Sequence, residues 1–213
     1  MANWTGGDSI TPFFTIWTEP RATIRRIVDT DPTRNVIALA AIGPAINGLA
    51  SQWSKALGNN ANLSVLWPLW VAFTVAAEAA IGVVGLYLGA AVLRWSGGLL
   101  GGVARSVEMR AAMAWAQIPG IVATIILLIA VLSGVPGPQA MAGTLHVDPS
   151  FYKVGAVEGV LGIWGFIVGL KCIGEVHRFS AWRAFAATLI PGFIMVLLIG
   201  FAIFLIKVVV GHH

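Results

Sequence analysis

Five apolar runs, each close to or above the roughly 20 helical residues that cross a ~30 Å hydrocarbon core, constrain this chain more than any other feature. They are Val36 to Trp53, Val65 to Leu93, Ala111 to Leu132, Tyr152 to Ile173 and Phe185 to Val210. Inside lipid every backbone N–H and C=O needs an internal partner, which leaves helices and closed barrels as the only spanning structures. Barrel strands read as ~10-residue segments that alternate apolar and polar, and these runs are too long and too uniform for that. The expectation is an all-α integral membrane fold with five transmembrane helices. Composition agrees, with 58% of residues hydrophobic and 10% charged where soluble domains carry about a quarter charged.

Basic residues set the orientation. The first run is the shortest and carries Pro44, Asn47, Ser51 and Gln52, so its membrane crossing needs independent support. With five spans and an inside N-terminus, Arg21, Arg25, Arg26, Arg34, Arg94, Arg105, Arg110, Lys171, Arg178 and Arg183 fall inside, and only Lys55, Lys153 and Lys207 fall outside. Removing the first span erases that bias, so the positive-inside rule favours five crossings, N-terminus in and C-terminus out. Residues 1–34 then form a cytoplasmic amphipathic segment and residues 35–213 the membrane domain. The net charge of +4 follows from this topology and calls for no nucleic acid. The lone Cys172 excludes an intrachain disulfide and multi-cysteine metal or redox motifs. The first 35 residues lack an apolar core followed by a small-residue cleavage site, so no cleaved signal peptide is expected. His212 and His213 read equally as native residues or as part of an expression tag.

Within the second and fourth runs one pattern is written twice. Glu78, Gly82, Gly85 and Gly89 share their spacing with Glu158, Gly162, Gly165 and Gly169. Positions i, i+4, i+7 and i+11 stack on one helix face, and glycines there permit close helix approach. Each copy is followed by a basic stretch and a span that opens on arginine and meets proline: Arg110 to Pro119-Gly120, and Arg183 to Pro191-Gly192. Arg34 to Ile42-Gly43-Pro44 is a looser third version. The expected organisation is one odd span followed by two tandem two-helix units, spans 2–3 and 4–5, related by an axis along the membrane normal. Pro44, Pro119 and Pro191 each remove a backbone donor in mid-span, so each odd helix should kink there, either for packing geometry or as a hinge.

On the cytoplasmic side, Thr18 is the expected cap ahead of Pro20. Ile24, Ile27 and Val28 then line one face opposite Arg21, Arg25 and Arg26. That pattern suits an interfacial helix on anionic headgroups, with the three arginines as headgroup ligands. Gly97, Gly98, Gly101 and Gly102 read as a flexible turn, Ser180 as the cap of the last span, and Gly134 to Pro149, with His146 and Asp148, as the longest outer loop.

The stretches Glu19-Pro-Arg-Ala-Thr-Ile-Arg-Arg-Ile, Leu99-Leu-Gly-Gly-Val-Ala-Arg-Ser with its span to Pro119, and Gly162-Ile-Trp-Gly-Phe-Ile-Val-Gly-Leu-Lys to Ser180 and Ala184 resemble the Ypt-interacting-protein (YIP) family, over residues 12 to 207. The resemblance implies a five-span helical membrane domain. Eukaryotic members act in vesicle traffic with Rab-type GTPases; the short N-terminal region here departs from their pattern and fits a bacterial inner (plasma) membrane protein.

Chemistry would centre on the intramembrane polar residues. At ~1.5 Å per residue, Glu78 lies about 24 Å outward of Arg94, and Glu158 about 20 Å outward of Lys171. Asn47 and Thr124 come out about 20 Å beyond Arg34 and Arg110. The four form one candidate intramembrane polar site. An ionised group at the membrane centre costs about 3 kcal/mol on insertion scales, so paired carboxyls call for a shared proton, a cation or a water-filled cavity; the bland alternative is a protonated Glu bonded to a neighbouring helix. Gly82, Gly85, Gly89, Gly162, Gly165 and Gly169 read as packing faces, and Trp53, Trp67, Trp70 and Trp95 as interfacial anchors. His177 is a weak candidate for metal binding or pH sensing, Cys172 for palmitoylation. No catalytic set, metal-ligand cluster or cofactor motif is present in the sequence. The leading reading is a non-enzymatic polytopic protein that organises membrane or partner proteins, with homo-oligomers among its partners. The competing one is a small proton- or cation-handling transporter built on Glu78 and Glu158.

Overall fold

The computed structural model describes residues 11–58, 66–135 and 149–210, and the described residues contain helices and turns without a strand. Eight helices follow one another: α1 (Thr11–Thr18), α2 (Pro20–Thr30), α3 (Val36–Gly58), α4 (Trp67–Leu99), α5 (Ser106–Ala116), α6 (Ile118–Leu132), α7 (Pro149–His177) and α8 (Ala181–Val210). Five segments are long and apolar enough to cross a membrane: α3, α4, α5 with α6, α7 and α8. The expected five-span, all-α class is what the chain adopts. His146, Asp148, His212 and His213, and with them the reading of the outer loop, lie outside the described residues.

Helix ends explain the boundaries. The cap of α2 is Glu19, not Thr18, which closes α1; Pro20 still occupies the first helical turn, where its missing N–H has no partner to lose. Asp31 ends α2 and accepts hydrogen bonds from Thr33 N–H (2.9 Å) and Thr33 Oγ1 (2.6 Å), a turn that delivers the chain to α3. At α5 the Arg105 N–H donates to Glu108 Oε2 (2.8 Å) and Arg105 Nε to Glu108 Oε1 (2.9 Å), so one carboxylate closes the N-terminus. Ser180 does cap α8, accepting from Arg183 N–H at 3.4 Å.

The prolines act unequally. Around Pro119 the third span divides into α5 and α6, with Gln117 N–H turned back to the Ala114 carbonyl at 3.2 Å. Pro44 and Pro191 lie inside uninterrupted helices. Proline at the start of a fresh helix loses no bond, and Pro119 takes that position in α6.

Packing runs α3 on α4, α4 on α8, α8 on α7, α7 on α6 and α6 on α3, which closes a ring of spans. At the arginine-rich end α5 touches α3, α4 and α7, while α1 and α2 lie against α5, α6 and α7. The apolar face expected for α2 exists, but Ile24, Ile27 and Val28 are buried in protein rather than turned to lipid. The buried core extends from Ile16 to Ala187 in sequence and gathers at this basic end around Trp115, Met109, Val168 and Cys172. Trp115 is fully enclosed, with its indole N–H on the Arg34 carbonyl (3.1 Å) and its ring 4.9 Å from Phe13. Toward the opposite end the helices expose large apolar side chains such as Leu69, Phe73, Ile129 and Val160, the surface a hydrocarbon solvent would cover.

Candidate functional site

The duplicated Glu and Gly positions find different neighbours in their two copies. On α3, Ala40, Pro44 and Gly48 share a face that meets α4: a Cβ on Gly82 would strike the Ala40 carbonyl and the Pro44 ring, and one on Gly48 would lie 3.0 Å from Glu78 Cγ. Gly89 sits against Met113, while Gly85 faces open space. On α7 the contact shifts by about one turn. Gly165 meets Pro119 (3.5 Å) and Gly169 meets Ala116 (3.8 Å), whereas Gly162 meets nothing within 4 Å. Each Glu–Gly helix thus rests on the proline-bearing span that precedes it.

The four polar residues divide accordingly. Asn47 and Thr124 line one cleft together with Gln117, a residue outside the expected polar site. Glu158 lies one turn before Leu161 and Gly162, which belong to the wall of that cleft, and Glu78 packs on the Gly48 face of α3. Among the described residues no hydrogen bond or ion pair joins the two glutamates.

At the basic end the side chains converge more tightly. Arg178 sits in the left-handed region (φ 59°) just past α7, which lets Phe179 N–H reach the Gly174 carbonyl (2.9 Å) and Arg178 N–H reach the Glu175 carbonyl (3.1 Å). This paired closure is a Schellman motif. Arg25 then donates from Nε to Glu175 Oε1 (3.0 Å) and from a terminal nitrogen to the Glu175 carbonyl (3.0 Å). Arg21 reaches Glu175 Oε2 (3.5 Å) and the Phe179 carbonyl (3.3 Å). Two guanidinium groups therefore satisfy the negative end of α7 and fasten α2 to it. Arg26, the third expected headgroup ligand, is partly buried on the same helix.

His177, the last residue of α7, is 1% exposed. Its ring lies parallel to Phe179 with centroids 4.9 Å apart, and is held by Gly97 and Gly102, where a Cβ would collide with the imidazole. Ala104 N–H donates to Nδ1 (3.4 Å), which leaves Nε2 to carry the proton toward the Leu93 carbonyl (3.3 Å). The four-glycine turn expected to be flexible is thus a cage closed on an imidazole, with Gly101 at φ +82° making the turn that only glycine adopts easily. With both ring nitrogens facing backbone, His177 has no free ligand for a metal. Cys172 is likewise enclosed, its thiol directed at the Pro20 carbonyl (3.9 Å), with no path for an acyl group. The contacts of His177 with Leu93, Gly97, Gly102 and Ala104, and of Cys172 with Pro20, join residues far apart in sequence; the four glycines before Arg105 are the one local sign that something bulky has to fit there.

Comparison with known proteins matches residues 14–203 to the family model described as the Yip1 domain. Neither a curated protein nor a solved structure matched the chain. With nearly its whole length covered by that match and five apolar helices in place, the chain belongs to the Yip1 domain family of integral membrane proteins.

Proposed function

We propose that this chain is a non-enzymatic organiser of membrane and partner membrane proteins, acting from its basic end in the cytoplasmic leaflet of a bacterial inner membrane. The observation that carries this reading is the placement of the core. α1, α2 and α5 are packed into the arginine-rich end, and the His177 cage and the Glu175 ion pairs hold them as a rigid plate. The opposite half consists of the packed spans alone and turns large apolar side chains to lipid. With α1 and α2 added only at the basic end, the body takes up more of that leaflet than of the other. Around the rim of the plate Phe14 (70% exposed), Trp95 (51%) and Trp182 (80%) are set to anchor at the headgroup level, and Arg94, Arg178 and Arg183 are exposed beside them. Anionic headgroups are the matching surface, each juxtamembrane arginine contributing about 1 kcal/mol. With Arg21 and Arg25 directed at α7, that task falls to the exposed arginines.

The test is reconstitution into giant vesicles containing anionic lipid, followed by measurement of protein enrichment on narrow tubes drawn from them. Enrichment that falls when Arg94, Arg178 and Arg183 become Gln supports the reading. Equal density on flat and curved membrane, with no dependence on anionic lipid, refutes it. The competing transporter reading needs both carboxyls at one site; flux into proteoliposomes that is lost in Glu78→Gln and Glu158→Gln would favour it over the organiser.

A further inference from the structure

Just past the break at Gln117, a cleft of about 380 Å³ opens between α3, α6 and α7. Gly43, Gly120, Gly162 and Gly165 give it walls without side chains, and a Cβ at Gly120 or Gly162 would meet no atom within 4 Å. Three uncharged polar groups face into it from two spans: Asn47, Gln117 and Thr124. The Thr124 hydroxyl donates to the Gly120 carbonyl (2.9 Å) and so presents its lone pairs. The amides of Asn47 and Gln117 make no hydrogen bond to any described residue, and each offers two donors and an acceptor. Among the described residues no charged side chain lines the cleft.

Two occupants compete for such a space in a membrane. A lipid acyl chain would leave two amides without partners, at about 1–3 kcal/mol each. Water satisfies them, and at ~30 Å³ per molecule the cleft holds about a dozen. The lining therefore favours the polar occupant, and its neutrality favours an uncharged one. We propose that this cleft is a hydrated intramembrane site for small uncharged hydrogen-bonding molecules, water first among them, held by Asn47, Gln117 and Thr124.

Single-cysteine chains test this in a Cys172→Ala background, embedded in lipid vesicles and treated with a charged, membrane-impermeant methanethiosulfonate. Only a thiolate reacts, and a lipid-facing thiol stays protonated. Thr124→Cys should react about a hundredfold faster than Ile125→Cys, the two-unit difference in thiol ionisation that separates a wet from an apolar setting. Ile125 is the next residue on α6 and is 40% exposed outside the cleft. Gly162→Leu, which fills the open space, should slow the Thr124→Cys reaction about tenfold. Asn47→Cys, on a different helix, gives the same pattern and carries the test should Thr124→Cys fold poorly. Rates at Thr124 and Asn47 as slow as at Ile125, or rates indifferent to Gly162→Leu, overturn the proposal.

Discussion

Alanine at Gly97 should destabilise this protein even though it lies in a helix, where exchanging glycine for alanine ordinarily gains about 1 kcal/mol. The reason is the imidazole of His177. A Cβ at Gly97 would overlap Nε2 and come within 2.8 Å of Cδ2. The ring cannot retreat, because Phe179 is stacked on one side and Gly102 closes the other. Overpacking of this kind costs about 1–3 kcal/mol, and a displaced ring gives up its bonds to Leu93 and Ala104, about 1 kcal/mol each. After subtracting the propensity gain, the net loss is about 3 kcal/mol. The neighbouring Gly98 is the internal control. It is in the same turn of α4 and faces open space, so Gly98→Ala should gain about 0.5–1 kcal/mol. Reversible unfolding in mixed micelles, read by tryptophan fluorescence, measures both. In a His177→Ala background the penalty at Gly97 should vanish, as a double-mutant cycle reports. Parallel shifts for Gly97→Ala and Gly98→Ala, or a penalty that survives without His177, refute the cage.

The two copies of the glycine motif should respond in opposite directions. Gly82→Ala pushes on the Ala40 carbonyl and Pro44 and should cost about 2 kcal/mol, while Gly162→Ala should be neutral or stabilising by up to about 1 kcal/mol, both read from the same unfolding curves. Arg178→Gly relieves the left-handed backbone at the end of α7 and should raise stability by about 1 kcal/mol, checked by a rise in the unfolding midpoint. Glu175→Gln weakens the ties to Arg21 and Arg25, which are part-exposed, and should cost about 1 kcal/mol, most visibly as faster amide exchange in α2.

The spans were legible in the sequence because lipid leaves so few solutions: a run of apolar residues of sufficient length has to be a helix, and α3, α4, α7 and α8 extend the expected runs at one or both ends by a turn or two. The split of the third span was legible in part, since Pro119 announced a disturbance, but the same residue type at Pro44 and Pro191 left its helix whole. The amphipathic face of α2 was visible, and its partner was not. Ile24 and Ile27 look the same whether they meet acyl chains or a protein core between α2, α5 and α7. The Glu–Gly motif had the same limit, for a row of small residues says that a neighbour can come close without saying which one. His177 looked like a lone interfacial histidine because Gly97 and Gly102, which hold it, lie more than seventy residues away. Gln117 has no signal of its own beside Pro119, and only the fold shows that it stands at the break between α5 and α6 and lines the cleft.

The closing of the basic end has a consequence for biosynthesis. Chains emerge from the ribosome N-terminus first, so α1 and α2 are made long before the end of α7 brings Glu175 and His177, and before α8 brings Ala184 and Ala187 into the core. Until then Arg21 and Arg25 lack their carboxylate and the glycine turn has no imidazole to enclose. The early spans, although α3 already packs on α4, therefore wait in the bilayer with their basic end open, and the last one and a half helices to be translated close it.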